Sequence, residues 1–187
     1  CVPLVALDAV VEIEGSSGRR NIKLEDLYRL PGETPEWETV LEPGDLIVAL
    51  KLPGDAADFA AHARYLKVRE RTSYAFAVVS TAACLKLERG RIGEARIALG
   101  GVAAKPWRAQ EAEKLLAGVS PDAQSFRRAA DAALAEATPS GDNEFKIELA
   151  RRIVVRALTL AASGTPERVP ALPASPFSSL PGALHDA

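Results

Sequence analysis

A chain of 187 residues with a formal net charge of -2 has room for one domain or two small ones, and it offers no basic surface to a polyanion. Forty-eight per cent of residues are hydrophobic and 26 per cent charged, enough for a real core in a soluble protein. No apolar run reaches membrane-span length, no secretory signal is visible, and Cys1 and Cys84 make no disulfide framework, so nucleic-acid, membrane and disulfide-scaffold classes are set aside. The chain contains no Met and starts Cys1-Val-Pro-Leu, which reads as a piece of a longer chain.

In chain order, residues 8–14 read as a strand, 15–18 as its turn and 20–23 as the return strand. Residues 24–30 suit a single helical turn. Residues 46–52 form a strong strand stopped by Pro53-Gly54. Residues 54–63, rich in Ala and Asp, suit a soft connector and a domain boundary. Strands at about 64–72, 75–88 and 91–100, with tight turns between them, predict an antiparallel meander. Helices follow at 108–117, ended by Gly118, at about 121–137 behind a Ser120-Pro121-Asp122 cap, and at 144–163 behind Asp142 or Asn143. Residues 165–187, rich in Pro and Ser, predict an extended tail.

Candidate chemistry is sparse. His62 and His185 fall in the connector and the tail, so no His-based triad is implied. Two His and two scattered Cys have no metal-ligand spacing, and there is no phosphate-binding glycine motif. Gly100-Gly101 suits a turn or a close helix approach. Lys67, Arg69 and Arg71 alternate on one face, as a solvated strand or an anion site would. Tyr74 and Phe76, two apart at the next corner, could cap a flat polar ring or fill a core. Trp107 behind Pro106 suits a helix–sheet gap. Arg152 and Arg156 are four apart on the last helix, in reach of Glu148 and solvent.

Four blocks carry a resemblance: Gly44-Asp-Leu-Ile-Val-Ala-Leu-Lys-Leu-Pro53, Tyr65-Leu-Lys-Val-Arg-Glu-Arg-Thr-Ser-Tyr-Ala-Phe-Ala77, Ala95-Arg-Ile-Ala-Leu-Gly-Gly-Val-Ala-Ala-Lys-Pro-Trp-Arg108 and Gly141-Asp-Asn-Glu-Phe-Lys-Ile-Glu-Leu-Ala-Arg-Arg152. In order and spacing they resemble the C-terminal part of the FAD-binding medium subunit of the xanthine dehydrogenase, carbon monoxide dehydrogenase and aldehyde oxidoreductase family of molybdenum hydroxylases. The second and third blocks are most similar to the aldehyde oxidoreductase type.

The resemblance implies an α+β fold. Residues 1–55 would end a vanillyl-alcohol-oxidase-type FAD-binding lobe. Residues 60–164 would form a C-terminal domain, a three-stranded antiparallel sheet packed by about three helices. It also implies FAD in the full-length subunit, with Tyr74 and Phe76 against the isoalloxazine ring, Lys67 at its pyrimidine edge and Ile47 as an apolar contact. A molybdopterin-binding large subunit and an iron–sulfur small subunit would be the partners, and substrate chemistry would take place on the former. The complex would be cytoplasmic, or periplasmic through a partner's signal. The family's pyrophosphate-binding glycine loops would lie upstream of Cys1, so this chain alone is expected to bind FAD weakly or not at all. The alternative function is a subunit-docking module that does not bind FAD by itself.

Overall fold

Two antiparallel sheets organise the chain in this computed structural model, which describes residues 1–71 and 74–167. Most of the expected tail, residues 168–187 with His185, lies outside the described residues. The first sheet has the order β2-β1-β3, from β1 (Val10–Gly15), β2 (Gly18–Lys23) and β3 (Leu46–Lys51). Alternation sets its faces: Val11 and Ile13 are fully buried, while Glu14 between strands of charge stays exposed. The hairpin closes at Gly15 opposite Gly18, whose φ of 98° only glycine adopts freely. The short helix α2 (Leu24–Leu27) buries Leu24 and Leu27 beneath this sheet.

The second sheet runs β4-β5-β6-β7, from β4 (Ala63–Val68), β5 (Val79–Glu88), β6 (Arg91–Gly100) and β7 (Trp107–Arg108). The three long strands are the expected meander. The two-residue β7 adds a fourth, pairing Trp107 with Leu99 and Arg108 with Ala98. One face of this sheet carries Val79, Ala83, Leu85, Ile97 and Leu99. It packs on three helices, α3 (Gln110–Leu116), α4 (Ala123–Ala133) and α5 (Phe145–Ala162). Trp107 is half-buried against this core, as a residue filling a helix–sheet gap should be.

The opposite face is built from small residues, except for Arg96 toward one end. Ser80 faces Gly100, Ala82 faces Ala98 and Cys84 faces Arg96 across the β5–β6 ladder. With so little side chain there, the backbone of another element can come close. The helix α1 (Val2–Ala6) does so, and with Val11, Ile13, Leu24 and Leu27 it closes a second core over Ala82 and Ala98. A Cβ at Gly100 would lie 2.5 Å from Val2 Cγ2. Five residues cannot hold a helix alone, so this one exists by its packing.

Ion pairs join the first segment to the second sheet. Arg96, only 5% exposed, meets Asp8 at 3.3 Å, Asp55 at 2.5 Å and Glu94 at 2.9 Å, and stacks over the Phe59 ring at 4.4 Å. Arg108 donates to the Val5 carbonyl at 2.8 Å, to Asp8 at 2.7 Å and to Glu113. The expected soft connector is therefore ordered. Residues Gly54–His62 form 3₁₀ turns that bury Phe59, and His62 Nδ1 lies 2.9 Å from the Ala161 carbonyl at the end of α5.

Other boundaries also move. β5 starts at Val79 rather than residue 75, because β4 ends at Val68, opposite Val79, and leaves residues 75–78 without a ladder partner among the described residues. α4 ends at Ala133, short of 137, since Leu134 and Ala135 close three-residue turns. Asp122 alone caps α4, accepting from Ser125 N at 2.8 Å, which leaves Ser120 and Pro121 outside the helix. Asn143 caps the preceding turn instead of α5, accepting from Ser140 N at 2.8 Å.

Candidate functional site

The segment between β4 and β5 is a corner, residues 69–78, of which 72 and 73 lie outside the described residues. The Val78 N–H closes its base on the Val68 carbonyl at 2.9 Å. Its tip is held by Arg71, whose Nε donates to the Tyr74 carbonyl at 3.1 Å and whose Nη2 donates to the same oxygen. Gly101, at φ 78°, supports it from behind, because any Cβ there would come within 2.9 Å of the Ala77 and Val78 carbonyl oxygens.

This corner presents Tyr74 at 96% exposure and Phe76 at 99%. Neither aromatic side chain is packed into either core of this chain. Exposed apolar groups clustered on a fixed support are the mark of a contact surface. Lys67 projects into solvent from β4, which forms an edge of the second sheet, and the half-exposed Tyr65 shares its face. Of the cation row, Arg71 is spent on the Tyr74 carbonyl and Arg69 is half-buried.

Ile47 belongs to the first sheet. It lies opposite Ile13 on β3, and its neighbours Leu46, Val48, Leu50 and Leu52 are, like it, about half exposed or more. β3 pairs with β1 alone among the described residues, leaving its second edge open. The structure thus groups Lys67, Tyr74 and Phe76 in one strand-and-corner unit and sets Ile47 on the outer strand of the other sheet. Two residues that shape the corner, Arg71 and Gly101, gave only weak signals in the sequence, as one of a row of cations and one of a glycine pair.

The arrangement can cover and polarise a flat ring but holds no acid–base pair. Its two aromatic faces suit stacking on a π-system, and the Lys67 ammonium suits a partner with negative carbonyl character. These are the features a flavin ring needs, so the residues fit that group. Among the described residues, no group of three or more His, Cys, Asp or Glu is placed to hold a metal ion. Nor is any described helix long and apolar enough to cross a membrane.

Comparison with known proteins agrees along almost the whole chain. Residues 1–55 match the family described as FAD binding domain in molybdopterin dehydrogenase, and residues 64–161 match the CO dehydrogenase flavoprotein C-terminal domain. The aldehyde oxidoreductase FAD-binding subunit PaoB of Escherichia coli K12 is 43% identical over 161 residues, covering 86% of this chain and 46% of that protein. CO dehydrogenase from Oligotropha carboxidovorans superposes with a TM-score of 0.78 at 26% identity, over 88% of this chain and 56% of that one. Quinoline 2-oxidoreductase from Pseudomonas putida 86 gives 0.74 at 28% identity, over 87% and 55%. The chain spans about half the length of the curated relatives it matches. It belongs to the family of FAD-binding medium subunits of the molybdenum hydroxylases, which includes aldehyde oxidoreductase, CO dehydrogenase and xanthine dehydrogenase subunits.

Proposed function

We propose that this chain is the ring-covering part of an FAD-binding electron-transfer subunit, working beside a molybdopterin-binding large subunit and an iron–sulfur small subunit. Residues 1–55 are the end of the flavin-binding lobe and 60–164 the C-terminal domain that closes over it. When bound, FAD supplies the exchange between one-electron and two-electron carriers. Tyr74 and Phe76 offer aromatic faces to the ring and exclude water from it. Lys67 places positive charge where the reduced ring gathers negative charge, and Ile47 supplies apolar contact. The observation that carries this reading is the pair of fully exposed aromatics on a corner fastened by Arg71. We place the complex in the cytoplasm, with the periplasm, reached through a partner's targeting signal, as the alternative.

The test is made in a subunit of the length of its relatives. Tyr74→Ala is expected to weaken flavin retention roughly five- to tenfold, the size of a lost aromatic stacking contact. Lys67→Ala is expected to change the reoxidation rate. Unchanged flavin content and reoxidation in both variants would reject the site. A flavin titration of the present chain beside the longer one should show binding only in the longer.

A further inference from the structure

The helical side of the molecule carries a second feature that the flavin reading leaves unused. α4 and α5 enclose a groove of about 410 Å³. Arg127, Arg151, Arg152 and Arg156 line it, against two carboxylates, Asp131 and Glu148. This leaves two surplus positive charges in one groove of a chain whose net charge is -2.

Both carboxylates are already engaged. Glu148 accepts from Arg152 Nε at 2.8 Å, which, ahead of the pull of nearby Arg151, holds its carboxyl below the usual range. Arg151 spans the two helices, with Nε 3.3 Å from Asp131 and Nη1 3.8 Å from Glu148. Arg127 and Arg156, both exposed, have no carboxylate within ion-pair distance among the described residues. Ala130 and Val155 form an apolar floor between them.

We infer that this groove docks an acidic, partly aliphatic segment of a partner subunit, an inference that rests on the proposed electron-transfer complex. The cations are spread along the groove, and Arg152 and Arg156 alone stand about 6 Å apart along the helix axis. A single small anion can meet only one or two of them and leaves the apolar floor uncovered. An extended segment with carboxylates flanking an aliphatic side chain meets both the charges and the floor.

The experiment assembles the subunit, at the length of its relatives, with its large and small partners, and reads the dissociation constant by sedimentation and the flavin content by absorbance. Arg127→Glu with Arg156→Glu is expected to weaken assembly roughly tenfold at low salt, the effect shrinking as salt is raised. Arg127→Glu alone should weaken assembly by part of that, whereas Arg128→Glu, the same single charge reversal on α4 but outside the groove, should leave assembly unchanged. In the wild-type complex, amide exchange over residues 127–131 and 151–156 should slow on assembly. The inference is overturned if the double variant assembles like wild type, or if Arg128→Glu weakens assembly as much as Arg127→Glu alone. It is also overturned if inorganic phosphate alone slows exchange at those residues, which would make the groove a small-anion site. If the subunit holds no flavin while the double variant still fails to assemble, the electron-transfer reading falls and the docking groove stands.

Discussion

Asp8 and Arg108 meet at 2.7 Å, a hundred residues apart in sequence, and Asp8 does so from a left-handed backbone with φ 54°. The same carboxylate lies 3.3 Å from Arg96, so one exposed-side residue ties together two guanidinium groups that are almost wholly buried.

Replacing Asp8 separates its two roles. Asp8→Asn keeps an acceptor for Arg108 and a side chain that tolerates positive φ, and loses the charge together with the second oxygen that faces Arg96. Asp8→Ala loses the acceptor as well and meets the left-handed penalty. Urea unfolding should show Asp8→Ala destabilised by about 1–3 kcal/mol, with Asp8→Asn losing less. Equal losses would mean that the backbone and the lost acceptor contribute nothing.

Gly100 tests the small-residue face. A Cβ there meets Val2 Cγ2 at 2.5 Å and Ser80 Oγ at 2.7 Å. Gly100→Ala should therefore cost about 1–3 kcal/mol through overpacking. Val2→Ala in the same chain should recover part of that loss, giving a non-additive cycle of at least about 0.5 kcal/mol. Additive losses would show that α1 does not sit on Gly100 in solution.

Asp45 gives a pH signature. The hydrogen bonds from Arg20, and then the Glu42 N–H at 2.7 Å, hold its carboxyl below the ordinary range. A carboxyl lowered in the folded chain stabilises it above the unfolded value, near pH 4, and the benefit disappears as pH falls through the lower folded value. Asp45→Asn should melt lower than wild type at pH 7, and the difference should close below about pH 4. A difference independent of pH would show that the ionisation of Asp45 does not contribute to stability.

Much of the framework was legible in the sequence, for local reasons. β4, β5 and β6 read as strands because turn residues punctuate them, and α5 read as a helix because Ile147, Ala150, Val154, Ala157, Leu158 and Ala161 form one stripe, all of it buried but Ile147. α1 and β7 were not legible. Five residues and two residues carry no periodicity, and both exist through packing on β5 and β6. The buried arginines were illegible too, since Arg96 finds Asp55 from 41 residues away. The run of small and β-branched residues from Ala75 carried β5 backwards, because nothing in it showed that the partner strand ends at Val68. At the site, residue pattern favoured a core role for Tyr74 and Phe76. Only the four-block resemblance pointed outward, and the exposure of both rings supports that direction.

The small-residue face of β5 and β6 bears on how such subunits can be recombined. Residues 1–55 and 64–161 match two separately defined families, which invites treating them as interchangeable parts. Here, Ala82 and Ala98 of the later part lie in the same core as Val5 and Val11 of the earlier one, and Gly100 leaves room for Val2. A hybrid that takes its first 55 residues from a relative must also import what those residues rest on, or the larger side chains of one parent will occupy the space the other leaves empty. The unit of inheritance is therefore the interface, and a crossover placed in the connector at residues 54–62 would cut through it.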